Sequence, residues 1–133
     1  MAAVTAGVAV AGEAGGVLMV LDEPLSFWGG VDPATGEIID RHHPQHGSCI
    51  TGTLLVMPAG RGSSSSSSVL AEALRSGTGP AAVILRELDP ILAAGALVAR
   101  ELYGIVCPVV VTSADLPDGR EATVTAAGHV EVR

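Results

Sequence analysis

Three short apolar runs constrain the fold of this chain more than anything else in it. Residues 17–21 read VLMVL, residues 53–57 read TLLVM and residues 81–85 read AAVIL. A strand with one face in water alternates polar and apolar residues. These runs do not alternate, so each is expected to be a strand buried on both faces. Helical patterns stand between them and supply cover. Val69, Leu70, Ala73 and Leu74 recur at helical spacing after the second run, and Gly77 and Gly79-Pro80 stop that helix. Asp89-Pro90 opens another, with Asp as N-cap and proline in the first turn. Its apolar face holds Ile91, Leu92, Gly95, Ala96, Ala99 and Leu102.

The flanks read less sharply. Val4, Val8 and Val10 predict one short strand, and Gly15-Gly16 predicts a turn. Residues 22–36 predict a long shaped loop leading to a strand over 37–40. Residues 105–111 predict a strand broken by Pro108. Residues 122–125 and 129–133, on either side of Ala127-Gly128, predict a terminal hairpin. The order is a β-rich start, then β-α-β-α-β, then the hairpin. The fold class is α/β, a central buried sheet with helices packed on it. The 133 residues leave room for one domain, 1–133, and no second sizeable core.

Composition excludes several functions. All seven basic residues are arginines, so no Walker A, Schiff-base or nucleophilic lysine exists. The net charge is −7, and residues 1–40 carry six acids and no base. Nucleic acid and anionic membranes are therefore disfavoured partners. Cys49 and Cys107 stand 58 positions apart, which writes no zinc ribbon or iron–sulfur motif. They read as reduced thiols of a cytoplasmic protein. The apolar start lacks a positive n-region and reads poorly as a signal peptide.

Six consecutive serines, 63–68, follow Gly60-Arg61-Gly62. Composition alone allows a flexible linker. Their place argues otherwise, because a buried strand ends just before them and a helix begins just after. A glycine-opened helix N-terminus offers backbone N–H donors and a positive dipole end to a carboxylate or phosphate. Arg61 adds a fork-shaped donor. Gly60, Arg61 and Gly62 are thus candidate substrate ligands, and spacing does not tell the serines apart. Trp28, Gly29 and Gly30 form a glycine-rich loop, where Trp28 is either a core plug or an interface anchor. His42, His43 and His46 match no common zinc signature, and no metal site is expected. His43 is grouped with the Trp28 loop as a possible active-site or interface residue.

The segments LDEPLSFWGGVDPATGEIIDRHHPQHG, LLVMPAGRGSSSSSSVLAEALR and AAVILRELDPILAAGALVARELYG together resemble the swivel-domain small subunit of the aconitase X family. The resemblance runs from about Val17 to Val111. It implies a swivelling β/β/α domain of the aconitase superfamily, and a hydro-lyase that is inactive without its large subunit. It implies no cofactor on this chain and an iron–sulfur cluster on that large subunit. It makes Ser63 the proton-abstracting base, and Ser64 is the second candidate, as N-cap or substrate ligand. Family members dehydrate cis-3-hydroxy-L-proline in bacteria and phosphomevalonate in archaea. Phe27-Trp28, RHHPQHG and the unbroken serine run resemble the bacterial members, so cis-3-hydroxy-L-proline, a small carboxylate, is the preferred substrate. Readings of another class are a stand-alone small-anion binding module and a regulatory swivel domain.

Overall fold

A computed structural model describes residues 2–60 and 63–133. The chain runs β1 (Ala2–Thr5), β2 (Gly7–Val10), β3 (Ala14–Val20), α1 (Phe27–Gly30), β4 (Leu54–Met57), α2 (Ser66–Arg75), β5 (Ala82–Leu85), α3 (Pro90–Tyr103), β6 (Val109–Val111), β7 (Glu121–Val124) and β8 (His129–Val132). The strands hydrogen-bond in the order β1-β8-β7-β3-β4-β5-β6-β2. The second half of β3 and strands β4, β5 and β6 pair in parallel. The remaining pairings are antiparallel.

The apolar runs behave as their lack of alternation demands. Every residue of β4 and β5 is buried. Their side chains divide by parity. Leu55, Met57, Val83 and Leu85 join the core under the helices, with Leu70, Leu74 and Leu92. Leu54, Val56, Ala82 and Ile84 join a second core with Val124 and Val130 of the C-terminal hairpin. The result is three layers: antiparallel sheet, parallel sheet, helices. The expected β/β/α arrangement and the hairpin are both present.

Four local expectations are corrected. The first predicted strand is two, β1 and β2, joined only by Ala6 and placed at opposite ends of the strand order. Ala6 N–H donates to Gly128 O at 2.7 Å, so the sheet curls until its two edges nearly meet. Gly15-Gly16 is strand interior, not a turn. A Cβ on Gly16 would lie 2.7 Å from the Gly52 carbonyl oxygen, so glycine serves close approach of two backbones there. At Val17 and Leu18 the strand exchanges its β7 partner for β4. Residues 37–40 form only isolated bridges, Val31 to Ile38 and Glu37 to Cys49. The strand at 105–111 is shortened to β6, after Pro108, whose carbonyl still accepts from Val83 N–H at 2.9 Å.

The helices begin and end for readable reasons. Asp89 Oδ1 accepts from the N–H groups of Ile91 and Leu92 at 2.9 and 3.4 Å, capping α3 as its sequence predicts. Gly104, at φ 67°, closes it in the left-handed region.

The two thiols differ in kind. Cys107 is buried under the helices, and desolvation pushes its thiol up to about 12. Cys49 is exposed. A thiol reagent at pH 8 should therefore modify one cysteine per folded chain, Cys49, with Cys107 reacting only in denaturant. Mass spectrometry of digested protein reads this directly, and early labelling of Cys107 would contradict the packing.

Candidate active site

The carboxyl ends of the parallel strands carry the candidate residues, where open α/β sheets commonly place their ligands. Three loops converge there. Leu25, after β3, bridges in parallel to Gly60, after β4. Glu87 N–H, after β5, donates to Pro58 O at 3.2 Å. Gly60 sits against the α3 cap. A Cβ there would fall 1.8 Å from Asp89 Oδ2 and 3.3 Å from Leu92 Cδ1, so no side chain fits. Arg61 and Gly62 lie outside the described residues.

The serines, alike in sequence, separate in space. Ser63 O accepts from Ser66 N–H at 3.0 Å, so 63–66 form the turn that starts α2. Ser63 Oγ accepts from Ser65 N–H at 3.3 Å. Ser67 Oγ donates to Ser64 O at 2.9 Å. Ser66 is only 5% exposed, and its hydroxyl accepts from Trp28 N–H at 3.2 Å. Ser66 is a structural serine, while Ser64 and Ser65 are exposed and Ser63 is half-buried. Among the described residues no hydrogen bond takes up the N–H groups of Ser64, Ser67 or Ser68. These are the orphan donors of a helix start, with the positive end of α2 behind them. The tract is therefore a helix opening, not a linker, and α2 starts at Ser66 rather than Val69.

Helix α3 fixes this turn from the other side. A Cβ on Gly95 would lie 2.7 Å from Ser67 O and 3.1 Å from Ser67 Cα. The glycine lets the backbone of α2 press against α3. Nothing in the sequence marked Gly95 or Asp89 as part of the site. The signal was a glycine inside a helix, which costs about 1 kcal/mol relative to alanine and so calls for a packing reason.

The aromatic pair also divides. Phe27 is wholly buried and pins α1, while Trp28 is 60% exposed. Ser26 Oγ donates to Trp28 O at 3.0 Å, and Gly29 turns the chain at φ 75°. His43 points inward, 5% exposed. Its Nδ1 accepts from Gln45 N–H at 3.0 Å, which leaves the proton on Nε2 to donate to Glu23 O at 3.1 Å. It ties residues 40–47 to the loop after β3 and has no ring nitrogen left for substrate. Among the described residues no group of three or more His, Cys, Asp or Glu converges on a metal position. Cys49 and Cys107, one exposed and one in the core, do not make a cluster site.

A family model described as the aconitase X swivel domain matches residues 3–132. The chain belongs to this family. The swivel domain is similar to the cis-3-hydroxy-L-proline dehydratase of Pseudomonas aeruginosa, 55% identical over 100 residues, which are 75% of this chain and 17% of that protein. It is 47% identical over 88 residues to the phosphomevalonate dehydratase small subunit of Methanothermobacter thermautotrophicus, covering 66% of this chain and 67% of that one. The crystal structure of Thermococcus kodakaraensis aconitase X in its holo-form matches with a TM-score of 0.90 at 34% identity, over 100% of this chain and 99% of that chain. The swivel domain thus spans about a sixth of the length of the hydroxyproline dehydratases it matches, 17% in each of two. Among its described residues no helix is long and apolar enough to cross a membrane.

Two substitutions test how the swivel domain holds its serine turn. Gly95→Ala should destabilise by about 1–3 kcal/mol, reversing the gain that alanine gives in an open helix. Ser66→Ala should cost about 1–3 kcal/mol by leaving Trp28 N–H without its acceptor. Denaturant midpoints of the isolated domain measure both, and a stabilised Gly95→Ala would contradict the close approach.

Proposed function

We propose that the chain is the swivel part of a hydro-lyase of the aconitase X type that dehydrates cis-3-hydroxy-L-proline, with Ser63 as its proton-abstracting base. The observation that carries the proposal is the state of Ser63. It stands half-buried at the mouth of α2, its Oγ accepting an N–H and its hydroxyl proton held by no acceptor among the described residues.

The chemistry asks for what this corner offers. Dehydration takes a proton from the carbon that bears the carboxylate. The C–H electron pair becomes the new double bond, and the hydroxyl on the next carbon leaves, so that water is lost overall. A serine hydroxyl is too weak a base for this unless its alkoxide is stabilised. The Ser65 N–H and the positive end of α2 both act in that sense. The amides of Ser64, Ser67 and Ser68, unbonded among the described residues, suit the substrate carboxylate. Arg61 and Gly62 complete the same loop in the sequence. Gly60, with no side chain, lets the loop close against the Asp89 cap of α3.

This chain contributes the base and the anion-binding donors, and among the described residues no three His, Cys, Asp or Glu converge on a metal position. The iron–sulfur cluster belongs to the large subunit, or to the remaining length of a fused enzyme, as the 17% coverage of the hydroxyproline dehydratases supports. The higher identity to these relatives than to the archaeal small subunit, 55% against 47%, favours the hydroxyproline substrate.

The test is reconstitution with the large subunit and assay against cis-3-hydroxy-L-proline and phosphomevalonate. Turnover of the first substrate is expected. Ser63→Ala should lower kcat by about 10²–10⁴-fold while assembly persists. Turnover of phosphomevalonate alone would move the substrate assignment, and an active Ser63→Ala complex would remove Ser63 from the chemistry.

A further inference from the structure

Beside the serine turn the chain exposes its one tryptophan on a backbone that is firmly held. Trp28 N–H is bound by Ser66 Oγ and its carbonyl by Ser26 Oγ. Gly29 has open space where a Cβ would stand. The Gly30 carbonyl accepts from Ile39 N–H at 2.9 Å, and Ile39 is 42% exposed. Two large exposed apolar residues, Trp28 and Ile39, are thus linked through Gly30, two residues after Trp28 and hydrogen-bonded to Ile39. The surround is acidic. Glu37, two residues before Ile39, is exposed, and Asp40 Cβ lies 3.9 Å from the place a Cβ on Gly30 would take. Residues 1–40 hold no basic residue; exposed Arg41 follows Asp40 directly, so residues 22–41 carry five acids against one arginine.

We infer that this acidic-rimmed patch, centred on Trp28 and Ile39, is where the large subunit of the same enzyme docks, through an apolar slot edged with arginine or lysine. The inference rests on the swivel role proposed above and names the surface it uses. Three observations select the patch. It is continuous with the site, since Trp28 is one side chain, Ser66, away from the turn that begins at Ser63. A site whose cofactor lies on another subunit has to sit at the junction, so the contact must border that turn. The backbone is already fixed, so an indole anchor is presented at small ordering cost, and tryptophan is the residue most enriched among interface hot spots. The excess of acid asks for a basic counterpart, which steers encounter and fixes register. The outer side of α3 is the competing apolar face, with Val98 and Leu102 exposed, but among the described residues neither is hydrogen-bonded to the serine turn through its backbone, as Trp28 is to Ser66.

The experiment measures affinity of the purified large subunit for the wild-type chain, for Trp28→Ala, for the Trp28→Ala/Ile39→Ser double variant and for Leu102→Ala. Calorimetry or interferometry at two salt concentrations serves. Trp28→Ala should weaken binding by about 30-fold and the double variant further. Leu102→Ala should bind as wild type, and added salt should weaken the wild-type complex. Circular dichroism of each isolated variant shows whether it folds. Wild-type affinity in a folded double variant, or loss confined to Leu102→Ala, overturns the docking surface and leaves the swivel role standing. If the wild-type chain fails to bind the large subunit at all, the swivel role falls and the docking surface with it.

Discussion

The structure depends on burying β4 and β5 on both faces. Their four-residue stretches contain no polar side chain, and their backbones are paired on both sides. No face of either strand can therefore meet water. The helices must cover one side and the C-terminal hairpin the other. Once both faces are closed, function has only the strand ends to use. The carboxyl ends carry the Gly60 loop, the serine turn and the Asp89 cap together. The place of the candidate site is thus a consequence of how the core is hidden.

Much of this was legible in the sequence, for a physical reason. Unalternating runs such as TLLVM and AAVIL have few alternatives in a chain this short, and Asp89-Pro90 writes its own helix start. What could not be read was any feature set by partners far away in sequence. Gly15-Gly16 has the composition of a turn, yet it lies in β3 because the Gly52 carbonyl passes too close for a Cβ. Residues 4–10 read as one strand because nothing local says that β1 will find β8 and β2 will find β6. The strand expected at 37–40 lacked a continuous partner and reduced to single bridges.

The serine tract shows the same limit at the site. Six identical residues carry no internal information about which is spent and which is free. The family resemblance pointed to Ser63, and the fold gave the others distinct tasks. Ser66 turns inward because Phe27 is core and draws the Trp28 amide over it. Ser67 lies under Gly95, and its hydroxyl closes on Ser64. His43 is a parallel case: a residue type that invites catalytic readings is here consumed by two backbone partners, Gln45 and Glu23. Identity alone predicts capacity, and the surroundings decide whether it is already used.

The single-residue link at Ala6 has a consequence for how the chain assembles. Strands β1 and β2 precede the other strands of the domain in sequence, but their partners span residues 109–111 and 129–132. These strands must therefore wait, unpaired, until nearly all the rest of the domain has been made. Contacts of such long sequence separation carry a large loop-closure entropy and tend to form late. The closing of the sheet is then the last act of folding, and the N-terminal residues act as its seam.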